Sequence, residues 1–312
     1  MDARDESQSL PDRLRAACAR VVERARHVEL VADQLARYAW ALPEPPRLDP
    51  RRRPRDEAQR ERLAAFWLTL DAINFGSGWF PTLRKRPGLS GYRTIETSLR
   101  EHFERHGPWR AVELRTIEAA ELAATLGQDP RHELMALYAR SLRSLGAHVA
   151  DEHGGRFAAV ADAADGSAVA LVGLLARWRC FADVSRYDEL ELPFLKRAQI
   201  AACDLHRAGV ARFIDLARLT MFADNLVPHV LRLDGILRLA PALESHIDSG
   251  ALLEHDSAEE VELRACAVHA VELIVAARPG SCAAAIDELL WTRGQLPRYK
   301  AHPRPRCRCT AY

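Results

Sequence analysis

The sequence predicts an all-α protein. Apolar residues recur at spacings of three and four along most of the 312-residue chain, which is the pattern of helices that bury one face. No stretch of useful length alternates apolar and polar residues as a half-buried strand does. No period between 20 and 50 residues repeats, so the sequence does not indicate a solenoid or a propeller.

The composition is that of an ordinary globular protein. Hydrophobic residues make up 48% and charged residues 28%, and 44 basic against 43 acidic side chains give a formal net charge of +1. Such a balance provides no overall field that would attract DNA or an anionic membrane, although a local basic groove is compatible with it. No membrane span or signal peptide is recognised. Seven irregularly placed cysteines argue against a disulfide framework, so a reducing, cytoplasmic setting is expected.

Residues 1–56 are predicted to form N-terminal helices and an extended connector rich in proline and arginine. Leu14 to Val22 carry one apolar stripe, and Val28, Leu30, Val31 and Leu35 carry a second. The run Arg51–Arg55 is expected to be solvated surface, with phosphate binding as the alternative. Residues 57–312 are predicted to form one helical domain on which the N-terminal helices pack, or beside which they form a smaller lobe.

A helix over residues 57–75 is followed by a loop suited to ligand contact. Gly76-Ser-Gly78 allows the backbone to approach a ligand closely, and Trp79 and Phe80 offer flat faces. The same loop continues with three cations, including Arg84 and Lys85.

Three later segments also carry polar residues on predicted helices. In the segment after Phe194, Lys196 and Gln199 lie one turn apart and share a face. Ser257 and Glu260 have the spacing of a capping box, and Ser281 is predicted to cap the helix over residues 283–291.

Asp224 lies in an apolar stretch between two regions of helical spacing, residues 210–219 and 230–237. Pro228 fits the first position of the second helix, which puts Asp224 on a short connection near its N-terminus. One interpretation is a helix cap. The other is an anion held in an apolar pocket, where it stabilises positive charge that forms during a reaction.

Common catalytic motifs are absent from the sequence, and no metal or organic cofactor is indicated. There is no P-loop, nucleophile elbow or His-Glu-x-x-His motif. Cys307-Arg-Cys309 has the wrong spacing for a zinc knuckle, although His302 and this pair can be combined as ligands. Several polar residues in apolar contexts each have an ordinary structural explanation, but together they suggest a polar cavity between helices. They are Asp71, Asn74, Lys196, Gln199, Asp224, Glu262 and Asp287.

Five blocks of the sequence resemble, in order, those of the queuosine salvage proteins. These are queuosine 5′-phosphate N-glycosylases, which release queuine base for tRNA modification. The resemblance covers about residues 60 to 312. The blocks are Leu70-Asp-Ala-Ile-Asn-Phe75, Leu192-Pro-Phe-Leu-Lys-Arg-Ala-Gln199, Leu219-Thr-Met-Phe-Ala-Asp224 with Val227-Pro228, Glu262-Leu-Arg264 and Ile286-Asp-Glu-Leu-Leu-Trp291.

The resemblance implies a helical fold similar to that of helical DNA glycosylases, with Asp224 as the catalytic carboxylate. Breaking the ribosyl C–N bond creates positive charge at C1′, which a carboxylate stabilises. Queuosine is a 7-deazapurine, so its leaving base cannot be protonated at N7. The residues expected to contact the substrate are Asp71, Asn74, Phe75, Trp79, Lys196, Gln199, Phe222, Glu262, Asp287, Trp291 and Lys300.

Two other functions are compatible with the sequence. One is a DNA glycosylase-like enzyme acting on a polymer, and the other is a non-catalytic helical module in which Asp224 is only a cap. The near-zero net charge favours a small-molecule substrate over polymeric nucleic acid or a membrane. A monomer is the favoured state. The 5′-phosphate is expected to bind Arg84, Lys85, Lys300 or arginines of the C-terminal tail.

Overall fold

The computed structural model describes residues 8–50 and 53–312 of the chain. Fifteen α-helices, three short 3-10 helices and four three-residue β-strands make up the regular structure of these residues. The strands form only two antiparallel pairs, so the predicted all-α class is confirmed. Arg51 and Arg52 of the predicted basic connector lie outside the described residues. No helix in the described ranges has the length and apolar character needed to cross a bilayer.

The N-terminal segment packs against one long helix near the other end of the chain. Helix α1 spans Leu10–Arg24, strand β1 spans Val28–Leu30, and helix α2 spans Ala32–Ala41. Ser9 begins α1, because its side-chain oxygen accepts the N–H of Asp12. Both α1 and α2 contact the long helix α13 (Ala258–Ala277).

The predicted helical stripe that starts at Val28 is wrong, because residues 28–30 form a strand. Val28–Leu30 pairs with Leu237–Leu239, with Glu29 opposite Arg238. The carboxylate of Glu262 accepts the N–H groups of residues 26, 27 and 28, so these donors are not available to a helix.

The middle of the chain forms a helical layer with its own apolar core. That core includes Leu68, Leu99, Leu142 and Leu171, all fully buried. The helices of this layer are α3 (Glu57–Ala72), α4 (Gly91–His106), α5 (Ala111–Leu114), α6 (Ala119–Leu126), α7 (Glu133–Glu152), α8 (Phe157–Asp162) and α9 (Ala168–Leu175).

The C-terminal half forms a second core that it shares with α1 and α2. Leu14 and Val21 of α1 lie in the same buried cluster as Val268 of α13. The elements here are β2 (Ser185–Tyr187), β3 (Leu190–Leu192), α11 (Leu226–Leu233), β4 (Leu237–Leu239), α12 (Pro241–Asp248), α13 (Ala258–Ala277), α14 (Ala283–Arg293) and α15 (Pro297–Lys300). Helix α10 (Lys196–Arg207) instead packs into the first core, where Ala198, Ala201 and Ala202 are buried.

The stretch 219–224 is extended and lies between the two cores. Leu219 and Phe222 belong to the first core, whereas Met221 and Ala223 belong to the second. Because it contacts both cores, this segment is held firmly up to Asp224.

Three details of the prediction around this stretch are wrong. The predicted helix over residues 210–219 is reduced to one 3-10 turn at Leu216–Arg218. Helix α11 begins at Leu226, so Pro228 is its third residue, a first-turn position whose missing N–H costs no helical hydrogen bond. Leu237, predicted to be helical, lies in β4. Similarly, α14 begins after Cys282 and not after Ser281.

Candidate active site

A cavity of about 690 Å³ lies where the two helical layers meet. Its volume is in the range of sites that enclose a small ligand. The walls come from residues 53–55, one face of α3 and the loop after it, the first half of α4, one face of α10, the start of α11, one face of α14 and the tail after α15.

Asp224 is half-buried in the wall of this cavity, and its side chain is oriented by helix α11. Its Oδ1 accepts the N–H groups of Leu226 at 2.8 Å and Val227 at 3.1 Å, which are the first two residues of α11. The cap interpretation of Asp224 is therefore confirmed. Its other oxygen, Oδ2, makes no hydrogen bond within residues 8–50 and 53–312, so it is free for a ligand. The positive end of the helix dipole also favours negative charge at this position.

Lys196 and Asp287 face the same cavity from α10 and α14. Lys196 is 5% exposed, and its Nζ donates to the backbone oxygen of Asn74 at 2.9 Å. Burial lowers the pKa of the Lys196 amine, while the nearby carboxylates of Asp224 and Asp71 act in the opposite direction.

Asp287 is a buried carboxyl group that favours its protonated form. It is 6% exposed, and its Oδ1 accepts the N–H of Phe222 at 3.0 Å. Burial raises the pKa of Asp287 well above the ordinary value of 3.8, and the charge of Asp224 adds to this effect. The cavity therefore holds one carboxylate oriented by a helix terminus and one buried carboxyl group that retains a proton more readily.

The backbone at the start of α10 is strained, and the contacts that enforce this conformation also fix the position of Lys196. Leu195, the residue before the helix, has φ 47° and ψ 39°, in the left-handed region that bulky residues rarely adopt. Such a conformation costs about 1–3 kcal/mol and persists where neighbouring contacts enforce it. The neighbour here is Asp183, whose backbone oxygen accepts the N–H of Leu195 and whose Oδ2 accepts the N–H of Lys196, both at 3.0 Å.

Arg264 of α13 contacts both Asp183, which holds Lys196, and the residue just before Asp224. Its guanidinium donates to Asp183 Oδ2 at 2.7 Å and to the backbone oxygen of Ala223 at 3.0 Å. Its charged group lies 3.9 Å from the ring centre of Phe194, and the ring of Tyr312 lies 4.6 Å away. Arg264 itself is 2% exposed and lies outside the cavity lining.

Aromatic side chains form much of the cavity wall. Phe75, Phe222 and Trp291 line it, as the resemblance implied. Phe75 packs edge-on against Tyr138, with ring centres 5.0 Å apart. Trp79 is not part of the lining, and its Nε1 donates to Glu133 at 2.8 Å.

Several other residues expected to contact the substrate lie behind or away from the cavity. Gln199 donates to Phe194 and Thr220 and accepts from Thr220, so it ties α10 to the extended stretch. Asp71 is fully buried at the end of α3, and Glu262 holds the backbone before β1. Lys300 is exposed on α15. None of these four is among the lining residues, whereas Asn74 is.

Some of the cations that line the cavity were expected from the sequence and others were not. The expected ones include Arg304 of the tail and, from the run for which phosphate binding was the alternative, Arg53 and Arg55. Arg84 and Lys85 are exposed and lie outside the lining, and Arg84 pairs with Asp129 at 3.3 Å. Of the tail arginines, Arg304 lines the cavity, and burial lowers its pKa while Asp224 acts against that effect. The other lining arginines are Arg53, Arg55, Arg93, Arg100 and Arg207.

Helical spacing alone would have found many of the missed residues. Starting from Lys196, the lining residues of α10 are Ile200, Cys203, Asp204 and Arg207, which follow at the three- and four-residue steps of one helix face. On α14, Ala284, Asp287, Glu288 and Trp291 repeat this pattern. When one residue on a helix face is a suspected site residue, the other residues on that face are therefore also candidates for the cavity wall.

The fold and the cavity define a helical protein with a small-molecule site that contains an oriented carboxylate, a buried lysine and aromatic walls. A family model described as queuosine salvage protein matches residues 53–312. The chain belongs to the queuosine salvage protein family.

Relatives from bacteria and animals carry the same name, queuosine 5′-phosphate N-glycosylase/hydrolase. The protein of Sphaerobacter thermophilus is 36% identical over 293 residues, which cover 88% of this chain and 90% of that protein. The protein of Nematostella vectensis is 29% identical over 228 residues, covering 67% of this chain and 64% of that protein. The protein of Bos taurus is 34% identical over 140 residues, covering 43% and 41% respectively.

Proposed function

We propose that the protein hydrolyses the N-glycosidic bond of queuosine 5′-phosphate and releases queuine for salvage into tRNA modification. The observation that carries this proposal is the placement of Asp224, whose Oδ1 is held by the first turn of α11 while Oδ2 is left for a ligand in a cavity of about 690 Å³. The relatives' shared name supplies the substrate.

Asp224 acts on the sugar. When the C1′–N bond breaks, its electron pair moves to the base and positive charge develops on the ribose. A negative oxygen fixed beside C1′ stabilises that charge, and it needs no reorganisation because the helix N-terminus already holds the carboxylate. Water then adds its oxygen to C1′.

Asp287 acts on the departing base. The leaving base of a 7-deazapurine nucleotide has no N7 to protonate, so it must be stabilised by hydrogen bonds elsewhere on its edge. Asp287 is suited to donate such a bond, because burial favours its protonated form. The departing base takes up the Asp287 proton, and the water that adds to C1′ returns a proton to the Asp287 carboxylate.

Lys196 and the aromatic residues position the substrate. The Lys196 amine lies at the cavity wall with one hydrogen bond to Asn74, which leaves further donor capacity for a substrate oxygen. Phe75, Phe222 and Trp291 provide faces and edges for a flat base. Arg304 lines the same cavity, and the charge of Asp224 acts on its pKa, which supports Arg304 as a ligand of the 5′-phosphate.

The direct test is incubation of the protein with queuosine 5′-phosphate, with free queuine measured by mass spectrometry. GMP is the matched control, because it has the same sugar and phosphate but lacks the 7-deaza ring and its side arm. Release of queuine without release of guanine supports the proposal. Equal release from both substrates contradicts the base specificity, and release from neither contradicts the activity.

We also infer that the enzyme works on the free nucleotide, as a monomer in the cytoplasm. A duplex-binding enzyme would lose affinity by about 0.9 log units per log unit of salt for each phosphate neutralised. For an enzyme that acts on one nucleotide, the dependence of affinity on salt concentration should correspond to the neutralisation of only one or two charges. The net charge of +1 supports this expectation. Light scattering, which measures the molar mass in solution, tests whether the protein is a monomer.

A further inference from the structure

Three metal-ligating side chains meet outside the cavity. His255, Cys307 and Cys309 each place one donor atom within 4.8 Å of the other two. Both cysteines are buried, and the His255 side chain is 37% exposed. None of the three is among the residues that line the cavity.

The fold brings these residues together from two separate segments. Leu253 and Cys307 form a parallel bridge, and the N–H of Leu253 donates to the backbone oxygen of Arg306 at 2.8 Å. The loop between α12 and α13 therefore runs beside the tail and carries His255 to the cysteine pair. The histidine in this cluster is His255, and not the His302 that lies close in sequence.

We propose that His255, Cys307 and Cys309 bind one zinc ion. Two thiolates and one imidazole are a donor set that suits zinc, and the ion binds as the cysteines lose their thiol protons to solvent. Bonds of about 2.0–2.3 Å to a tetrahedral ion place its donors roughly 3.3–3.8 Å apart. The donor atoms observed within 4.8 Å of one another must therefore approach by about 1 Å or more where they are farthest apart.

Glu260 of α13 is placed to orient the histidine. Its Oε2 lies 3.8 Å from His255 Nδ1, and its side chain is 1% exposed. A carboxylate facing one ring nitrogen orients the imidazole and leaves Nε2 as the donor to the ion. Nε2 also lies 3.9 Å from Asp256 Oδ2, the second carboxylate beside this histidine. Solvent fills the fourth position, which it reaches along the exposed side of His255.

The ion would fasten the tail to the body of the protein. The tail carries Arg304 and Tyr312 to the cavity wall, and its backbone at Cys307 lies directly against Gly78. A bond from the tail to His255 adds a link that does not depend on apolar packing. The ion would therefore act on the cavity by holding the tail in place.

Metal content of the full chain, purified under reducing conditions, tests this proposal. Elemental analysis by inductively coupled plasma mass spectrometry should find about one zinc ion per chain. The metal-free protein should bind Co²⁺ with the sulfur-to-cobalt charge-transfer absorption of thiolate ligands. The variant Cys307→Ser/Cys309→Ser should lose both signals. Cys282→Ser, which changes a half-buried cysteine outside the cluster, is the matched control and should keep them.

His255→Gln is the second variant, because the partly exposed site tolerates substitution even if serine at the buried positions prevents folding. It should weaken zinc binding at least about tenfold while circular dichroism stays unchanged. Wild-type protein that binds neither zinc nor cobalt overturns the proposal. A disulfide between Cys307 and Cys309 in the reduced preparation, or equal metal content in all variants, also overturns it.

Discussion

Arg264 Nη2 lies 2.7 Å from Asp183 Oδ2, and both side chains are at most 2% exposed. Asp183 also accepts the N–H of Lys196, while Arg264 donates to the backbone oxygen of Ala223, the residue before Asp224. One buried ion pair thus positions the backbone on two sides of the cavity. Neither member of the pair lines the cavity itself.

Asp183→Asn should lower the free energy of unfolding by about 1.5–3 kcal/mol, because it removes the closer of the two buried carboxylates that face Arg264 and leaves only Glu260, at 3.7 Å. Urea denaturation measures the change. Glu29→Gln is the control, since Glu29 and Arg238 form an ion pair with side chains 61% and 63% exposed, and its loss should cost less than about 1 kcal/mol. Similar effects of the two substitutions would show that the Arg264 pair does not organise the site.

Gly78→Ala should destabilise the protein by displacing the tail. A Cβ at this position would lie 2.5 Å from the backbone oxygen of Cys307, and backbone cannot move aside as a flexible side chain can. We expect a loss of about 1–3 kcal/mol, seen as a lower thermal midpoint. Gly173→Ala is the control, because the added Cβ meets nothing within 4 Å and alanine favours the helix that contains it. A midpoint for Gly78→Ala at or above that of wild type would contradict the close tail contact.

Asp287→Asn should become more stable relative to wild type as the pH rises. The folded protein keeps the Asp287 proton, because its pKa is raised by burial, whereas the unfolded chain loses that proton near the ordinary value of 3.8. Wild-type stability from this group is therefore complete below about pH 4 and is lost as the pH rises toward the folded pKa. The difference in unfolding free energy between variant and wild type should grow by up to about 1.4 kcal/mol per pH unit in that window. Urea unfolding across the pH range measures this difference in free energy. A difference that does not depend on pH would contradict the claim that Asp287 keeps its proton in the folded protein.

Arg304→Ala should weaken binding of the nucleotide more than that of the nucleoside. A hydrogen bond to a charged group contributes about 1.5–3 kcal/mol, which corresponds to a rise in KM of roughly ten- to hundredfold for queuosine 5′-phosphate. KM for queuosine itself should change little. Arg84→Ala is the matched control, since Arg84 is exposed and outside the cavity. An equal rise for nucleotide and nucleoside would remove Arg304 from the phosphate site.

The sequence was sufficient for the fold class and for the helices that are long and strongly periodic. Helix α13 shows this, since Ser257 caps it through the N–H of Glu260 as predicted. The second half of the predicted capping box is absent, because the Glu260 side chain accepts the N–H of Asp256 and the N–H of Ser257 donates to Glu254. Prediction from the sequence failed at Val28–Leu30, where a tertiary contact decides the conformation. The Glu262 carboxylate that takes up the donors of residues 26–28 comes from a residue more than two hundred positions later.

The candidate site was partly predictable for a similar reason. Asp224, Lys196 and Asp287 stand in apolar contexts, which marks them in the sequence, and the structure places them around one cavity. Glu262 and Gln199 stand in similar contexts, but their polar groups satisfy backbone or side-chain partners elsewhere. Spacing cannot distinguish a polar group that meets a ligand from one that meets the chain. Contacts between distant segments, such as that of His255 with the tail cysteines, leave no local pattern at all.

Turnover by Asp224→Asn is the most direct test of the central claim, because this change separates the two roles of the side chain. The asparagine oxygen can still accept the N–H groups of Leu226 and Val227, so the cap of α11 and the stability should be kept. Asp224→Ala should instead lower the stability by about 1 kcal/mol as well.

The measurement is the rate of queuine release from queuosine 5′-phosphate by Asp224→Asn, beside its thermal midpoint and its affinity for the substrate. The account predicts an unchanged midpoint, retained binding and a kcat reduced at least about a hundred- to thousandfold, because the negative charge beside C1′ is gone. A folded Asp224→Asn protein that releases queuine at a rate close to that of wild type would contradict the account.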